Sequence, residues 1–433
     1  MQSFVLKYGR QEIGFALPEK HLLRVLEGNR SENKQSEEAI ITAALANPIA
    51  SPRLRDIVKP GEKICLVISD ITRSWQKQSL FLPYIVRELN EAGIPDADIK
   101  FLCATGSHRA QTAAEHRLLL GEELAGRFAV TDHNCRDQAN LVYLGKTSFG
   151  TPVWINRLAV ESDRVILTGA VVYHDMVGWG GGKKSILPGI AGFETIMANH
   201  SLSLSSTEGK GTHPNVKSGS IAGNPLHADM LEAAGLVKPD FLFNVVMDEA
   251  GDIGDAVAGH YEQAHAVGRQ LVSRTDGVPI DALADLVIAS CGGFPKDIDL
   301  YQASKGISNS KDALPPGGTL ILLAACEEGI GDAEVAAIIA DFDSNLAREQ
   351  ELRRSFTIAK YTGFLITEAA ANYRIILVSD LAPDLLASAG IQVVDSLDKA
   401  MALAQKALPE DFKAYVIPLA ANVLPIYRRQ NGN

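Results

Sequence analysis

The chain has no stretch of roughly 20 consecutive apolar residues, the length that a membrane-crossing helix requires, so no membrane span is expected. Positive charge is not in surplus either. Its 41 Lys and Arg against 52 Asp and Glu leave a net charge of −11. That argues against nucleic acid and anionic membrane as partners, since both need a basic face. The 5 cysteines, Cys65, Cys103, Cys135, Cys291 and Cys326, are odd in number and include no CxxC pair. This argues against a disulfide framework and against a cysteine-rich metal site. No basic segment followed by an apolar core opens the chain, so no signal peptide is expected and a cytoplasmic location is. Internal repeats and low-complexity tracts are absent.

Two nucleotide-binding signatures are also missing. There is no GxGxxG, and the glycine-rich run at 178–185 does not fit GxxxxGK[ST]. With Gly182-Lys183 as the Gly-Lys pair, Val177 stands where the first glycine belongs and Lys184 where the hydroxyl belongs. Ordinary dinucleotide and nucleoside triphosphate sites are therefore disfavoured.

What is present fits a two-domain globular protein: 433 residues, 46% hydrophobic and 21% charged, long enough for two separate cores. Residues 4–17 alternate as a hairpin turning at Gly9-Arg10. Near-continuous apolar strands are predicted at 63–69, 99–104, 164–168 and 241–247, with a helix over 80–92. Residues 268–279 read as a linker. Strands resume at 286–290, 319–325, 374–379, 393–394 and 415–417. Apolar strands alternating with helices imply parallel sheets covered on both faces. The expected fold class is α/β: two α/β domains with mainly parallel sheets and the active site in the cleft between them. Residues 1–270 would carry cofactor and catalysis, and residues 280–433 would close over the substrate.

In such sheets ligands gather at the carboxyl ends of strands. Asp70-Ile71-Thr72-Arg73 follows one such end, and Thr105-Gly106-Ser107-His108-Arg109 another. Tyr173-His174 follows a third. Gly292-Gly293-Phe294-Pro295 follows a fourth, with Tyr301, Gln302 and Lys305 on the next helix. The richest segment is 173–200. There Gly178, Gly180, Gly181 and Gly182 precede Lys183 and Lys184, and His174 and His200 bracket the loop. Glycines admit close approach of backbone N–H groups, and lysines supply cationic amines. Together they read as a site for an anionic cofactor, metal-bearing or not. The run Ser185-Ile186-Leu187-Pro188 would draw Lys184 inward, where a lysine can serve as nucleophile or covalent tether. His108 and His174 are candidate acid/base groups. A zinc site of His108, His174 and His200 is the competing metal reading, although no short-spaced histidine pair supports it.

These motifs, in this order and over nearly the whole chain, resemble the lactate racemase family. Asp-x-Thr-Arg is Asp70 to Arg73, and Ala-Thr-Gly-x-His-Arg is Ala104 to Arg109. Gly-Gly-[Arg/Lys]-Lys-Ser-x-Leu-Pro-Gly-Ile-Ala is Gly181 to Ala191, followed by Ala198-Asn199-His200. Gly-Gly-[Tyr/Phe]-Pro is Gly292 to Pro295, and Tyr-Gln-x-x-Lys is Tyr301 to Lys305. The resemblance implies a nickel-pincer nucleotide, a pyridinium mononucleotide whose two sulfurs and one ring carbon bind nickel. By the same resemblance Lys184 is the lysine joined to that cofactor through a thioamide, and His200 is the protein ligand to nickel. Thr72, Gly181, Gly182, Lys183 and Pro188 are further cofactor-binding candidates. His108 and His174 are the implied acid/base pair, oriented with the substrate by Asp70 and Arg73. Tyr301, Gln302 and Lys305 are implied around the substrate, with Gln302 and Lys305 on its carboxylate. The implied chemistry inverts C2 of a 2-hydroxy acid by reversible hydride transfer through a planar 2-keto acid. The implied partners are that small-molecule substrate and the proteins that make the cofactor.

The sequence departs from the lactate enzymes at Ser107, where their small pocket carries apolar bulk. It departs again at Ser74-Trp75-Gln76 and at Tyr361, where the family has a tryptophan. A substrate larger or more polar than lactate is therefore expected, with Ser107, Gln76 and Tyr361 as candidate contacts. The alternatives are lactate racemase proper, a zinc hydrolase using the three histidines, and a cofactor-free anion-binding protein.

Overall fold

A computed structural model describes residues 1–29, 31 and 33–428. The chain divides into two compact units. One comprises residues 29–202 and 215–275, the other residues 1–28, 203–214 and 276–433.

In the first unit the strand Ile64–Ser69 (ICLVIS) has all but its last residue buried. It lies inside a six-stranded sheet ordered Ile253–Gly259, Phe241–Met247, Arg164–Ala170, Ile64–Ser69, Ile99–Ala104, Val130–Asp132. Every pairing is parallel except that of Ile253–Gly259 with Phe241–Met247. Such burial on both faces needs the uninterrupted apolar run that the sequence shows. Ile64, Leu66 and Ile68 share one core with Phe81, Leu82, Ile85 and Leu89, which come from the amphipathic helix Gln78–Glu91. From Ile64–Ser69 the chain first builds toward Val130–Asp132 and later returns to the other side at Arg164–Ala170. The strand order therefore reverses between these two neighbours, which places a switch point at their carboxyl ends. Asp70 follows one of those ends, and Tyr173-His174 follows the other by a short step.

The second unit holds a six-stranded, wholly parallel sheet: Gln392–Val394, Arg374–Val378, Thr319–Leu323, Leu286–Ser290, Ala414–Ile417, Leu22–Val25. The hairpin falls as expected, Gln2–Tyr8 against Gln11–Leu17 around Gly9-Arg10.

Two expectations need correction. Residues 1–28 do not belong with the first unit as a 1–270 domain would have them. Leu22–Val25 is an edge strand on Ala414–Ile417, and Leu6 and Leu17 are buried against Leu286, Ile288 and Ile321. The 268–279 linker is also not a linker. Helix Tyr261–Thr275 runs through most of it and strand Gly277–Ile280 occupies the rest. Val272 is buried with Val171, Trp179 and Val246, which keeps the helix going past Gly268.

Asp229 fastens the elements that carry the functional segment. Its fully buried carboxylate accepts hydrogen bonds from Thr147 Oγ1 at 2.5 Å, Thr151 Oγ1 at 2.8 Å and Asn199 Nδ2 at 2.8 Å. Asp229→Ala would strand three buried donors, at roughly 1–3 kcal/mol for each group left unsatisfied. A loss of about 3 kcal/mol is expected in urea unfolding, with partial recovery in Asp229→Asn. Unchanged stability would show that this knot does not hold the fold.

Candidate active site

The carboxylate of Asp70 is almost completely buried at the carboxyl end of Ile64–Ser69. An aspartate there normally caps the following turn, but this one makes no cap bond. Its Oδ1 accepts from Thr72 Oγ1 at 2.6 Å and its Oδ2 faces His108 Nδ1 at 2.6 Å. Burial pushes the Asp70 pKa up, yet the His108 and Thr72 hydrogen bonds and the nearby Arg73 win, leaving it below the usual carboxylate range. With Nδ1–H committed to Asp70, His108 presents Nε2 outward from a side chain that is 49% exposed. That is the arrangement of an acid/base imidazole held in one tautomer by a carboxylate. Arg73 Nη1 donates to Thr72 Oγ1 at 3.2 Å, which completes an Asp70–Thr72–Arg73 chain.

The turn that carries His108 is tied to the glycine loop. Gly106 N–H donates to Gly189 O at 2.9 Å, and a Cβ on Gly189 would come within 2.2 Å of Ser185 O. The glycines of the loop approach the rest of the unit closely. A Cβ on Gly181 would lie 2.6 Å from Ala170 O, and one on Gly182 would lie 2.8 Å from the His265 ring. Gly180 N–H goes to Val172 O and Gly182 N–H to Asn244 Oδ1. The glycines thus seat the loop on the sheet, and its side chains point the chemistry.

Of those side chains, Lys183 is the more buried lysine, and among the described residues its Nζ has no hydrogen-bond partner. Burial and the neighbouring Arg269 lower its pKa to about 7. Lys184 is intermediate in exposure, and its Nζ is 2.6 Å from His174 Nε2. His174 Nδ1 is 3.0 Å from Asp175 Oδ1. Burial, then the charge of Lys184, lowers the His174 pKa to about 4. His200, on helix Phe193–Ser201, is buried, with Nδ1 2.9 Å from Ile196 O. Burial first, then Lys184, lowers its pKa to about 3. The backbone contact puts the proton on Nδ1 and leaves the Nε2 lone pair free, which is the state of a metal-ligating histidine. The residues present thus fit a nickel-bearing anionic group, with a free imidazole nitrogen, a lysine and a cationic flank. The three-histidine zinc reading is not supported. Among the described residues no group of three or more His, Cys, Asp or Glu side chains is gathered to hold a metal.

Other candidates fall in two groups. Ser107 is exposed and Pro188 intermediate. Gln76 is buried, with Oε1 accepting from Ser69 Oγ at 3.0 Å. In the second unit, Lys305 Nζ donates to Gln302 Oε1 at 2.9 Å on helix Leu300–Ser310, and Tyr301 packs against that unit's core. Tyr361 is fully buried, its ring tilted against those of Phe356 and Phe364 and its OH 3.2 Å from Thr212 Oγ1. Three supporting residues were not foreseen. His133 Nε2 meets Ala191 O at 2.9 Å, His265 Nε2 meets Gly180 O at 2.8 Å, and Asn244 holds Gly182. Asn244 alone left a trace in the sequence, as the one polar residue in the apolar run FLFNVVM.

A switch point that carries the Asp70–His108 pair, the buried His200 and the lysine loop is consistent with an α/β enzyme. Family models for the lactate racemase N-terminal domain and C-terminal domain match residues 8–211 and 278–424. The chain is 34% identical over 398 residues to the lactate racemase of Lactiplantibacillus plantarum, covering 90% of this chain and 92% of that one. It is 35% identical over 333 residues to the lactate racemase of Thermoanaerobacterium thermosaccharolyticum, covering 76% of each. The structure of the lactate racemase apoprotein from the latter organism superposes with a TM-score of 0.90 at 30% identity, over 98% of this chain and 100% of that one. A Thermotoga maritima protein shares the fold at 17% identity and a TM-score of 0.64, over 93% of this chain and 100% of that one. The chain belongs to the lactate racemase family, a family of isomerases.

Buried neutral imidazoles make stability depend on pH with a definite sign. His133 and His174 fall to about 4, and His200 and His227 to about 3, from 6.5. The folded state therefore binds fewer protons than the unfolded one in this window. The stabilisation is complete above about pH 6.5 and is lost as pH falls through about 4. His133→Gln should flatten this slope by up to one proton, about 1.4 kcal/mol per pH unit. Urea unfolding at a series of pH values checks this, and an unchanged slope would mean that His133 is not held neutral.

Proposed function

We propose that the chain is a nickel-pincer-dependent racemase or epimerase that inverts C2 of a 2-hydroxy acid. The observation that carries the reading is the set around His200: a buried imidazole with a free Nε2, beside Lys184 and His174, in a unit that also holds the Asp70–His108 pair. When bound, the nickel-pincer nucleotide supplies the carbon that accepts and returns hydride. His200 Nε2 would ligate the nickel, and Lys184 would tether the nucleotide, with buried Lys183 beside it in the loop.

The chain's own residues then handle orientation and protons. His108, its Nδ1–H fixed on Asp70, offers Nε2 to the substrate hydroxyl. Asp70 stabilises the imidazolium that forms when that proton is taken. His174 would be the second base, on the opposite face, so either enantiomer meets a base. Arg73 is suited to a two-pronged grip on the substrate carboxylate, and Gln302 and Lys305 are its further carboxylate-binding groups. Removal of the hydroxyl proton as hydride departs leaves a planar 2-keto acid. Proton return by the second imidazole completes inversion.

Nickel analysis with racemisation assays tests this. Protein produced together with the cofactor pathway should carry nickel and interconvert 2-hydroxy acid enantiomers. His200→Ala should lose the metal. His108→Ala should keep it and lose about 10²–10⁴-fold in turnover, the usual worth of a general acid/base. Full nickel retention in His200→Ala would overturn the ligand assignment.

The substrate is proposed to be longer or more polar than lactate, a sugar acid or an extended 2-hydroxy acid. Exposed Ser107 supports this, standing where lactate enzymes carry apolar bulk. One methylene in an apolar pocket discriminates by only about 1–3 kcal/mol, whereas an unmade polar contact costs more. Across a panel of 2-hydroxy acids, hydroxylated or longer acids should exceed lactate in kcat/KM, and Ser107→Phe should narrow the gap. Lactate as the best substrate, with no effect of Ser107→Phe, would refute the pocket argument.

A further inference from the structure

Arg348 shows how this fold satisfies a buried cation. Its guanidinium donates to Ile338 O at 2.9 Å, Ile339 O at 2.8 Å, Phe342 O at 2.6 Å and Asn345 Oδ1 at 3.0 Å. Nothing comparable meets the cations beside the glycine loop. Among the described residues Lys183 Nζ, Arg269 Nε and Trp179 Nε1 are buried atoms with no hydrogen-bond partner, and His227 Nδ1 is a fourth. Ammonium, guanidinium and indole nitrogens can only donate, so three buried donors lack an acceptor. They are neighbours although they come from separate elements. Lys183 lies in the turn Gly182–Ser185, against which helix Tyr261–Thr275 and helix Pro225–Val237 both pack. The first helix brings Arg269 and the second His227. The Arg269 guanidinium carbon is 5.6 Å from the centre of the Trp179 ring. Lys183, Trp179 and His227 are buried, whereas Arg269 is partly exposed and connects the group to solvent. Burial first, then Lys183 and Arg269, lowers the His227 pKa to about 3. The cation that bears on His174 and His200 is instead Lys184.

Two cations thus share one largely buried group, and Glu262 is the carboxylate that bears on both. Burying charge without a matching counter-charge is costly. A trapped water would meet the donors and leave the charge; an anion meets both. The donors reach in from a loop, a hairpin and a helix rather than from one plane. That suits a tetrahedral oxyanion, which accepts in several directions, better than a planar carboxylate, which arginine grips with a two-pronged fork. We infer that Lys183, Arg269, Trp179 and His227 form a binding site for a small tetrahedral oxyanion of the phosphate or sulfate class, separate from His108, His174 and His200. This goes beyond the racemase reading and does not rest on it. The bound anion accepts from Lys183 Nζ, Arg269 Nε and Trp179 Nε1. It keeps Lys183 protonated and fixes the turn Gly182–Ser185 from which Lys184 projects. No covalent bond forms or breaks.

The test is equilibrium dialysis of radiolabelled inorganic phosphate against the full-length protein at fixed ionic strength. One phosphate per chain should bind, with sulfate competing and chloride not. Lys183→Met, Arg269→Gln and Trp179→Phe should each weaken binding about 10- to 100-fold, the worth of one hydrogen bond to a charged group. Lys100→Met and Lys146→Met, at exposed lysines, should leave it unchanged. Trp179→Phe keeps the ring and removes only the N–H, so it carries the test should Lys183→Met fail to fold. Absence of saturable phosphate binding overturns the site. So does binding indifferent to all three substitutions, or chloride competing as well as sulfate. Protein loaded with the nickel-pincer nucleotide then separates two sources of oxyanion. Undiminished phosphate binding supports the free site. Loss of phosphate on loading gives these donors to the nucleotide's own phosphoryl group and overturns the separate site, while the racemase reading stands.

Discussion

The burial of Ile64–Ser69 on both faces of a parallel sheet is the constraint on which the candidate site depends. Five consecutive side chains of that strand are out of water, so no polar group can be carried along it. Polarity can begin only where the strand ends, at Asp70. The neighbouring strands Ile99–Ala104 and Arg164–Ala170 are held in parallel register with it and end at the same level for the same reason. Asp70, the His108 turn and the His174 hairpin therefore rise from one edge of one sheet. The reversal of strand order there opens the crevice in which α/β proteins bind ligands.

A second economy governs charge. The loop brings Lys183 and Lys184 close to His174 and His200, and Arg269 adds to the cationic side. Burial of so many basic groups holds as long as most stay neutral, and the depressed pKa values of His174, His200, His227 and Lys183 are the signature of that compromise. Asp70 sits on the other side of the balance, a buried carboxylate kept charged by His108, Thr72 and Arg73. The site is thus charged unevenly: a fixed negative partner for one imidazole, and a neutral, cation-flanked environment for the other.

The glycines have a structural purpose as well. Gly178, Gly181 and Gly182 take positive φ and approach Ser220 O, Ala170 O and the His265 ring so closely that no side chain fits. Their role is to press the loop onto the sheet. Lys184 and His174 then project from a support with little freedom, and His133, His265 and Asn244 brace it from behind.

Much of this was legible in the order of residues. Apolar runs bounded by polar turns located the central strands of both sheets closely, because a strand buried on both faces leaves no choice of composition, whereas Val130–Asp132, Ile253–Gly259 and Leu22–Val25 went unseen. The Asp70–Arg73, Ala104–Arg109 and Gly181–Ala191 motifs marked the candidate site, because reactive groups need particular side chains at particular strand ends. Contacts between distant segments were not legible. Only folding decides that residues 1–28 pack with residues 276–433, through an edge strand as short as Leu22–Val25. Only folding decides that Tyr361 is buried beside Phe356 and Phe364 and that Lys184 Nζ comes within 2.6 Å of His174 Nε2. Composition and spacing report what each segment must bury. Which groups then meet across hundreds of residues is set by hydrogen-bond register and close packing, and these exist only in three dimensions.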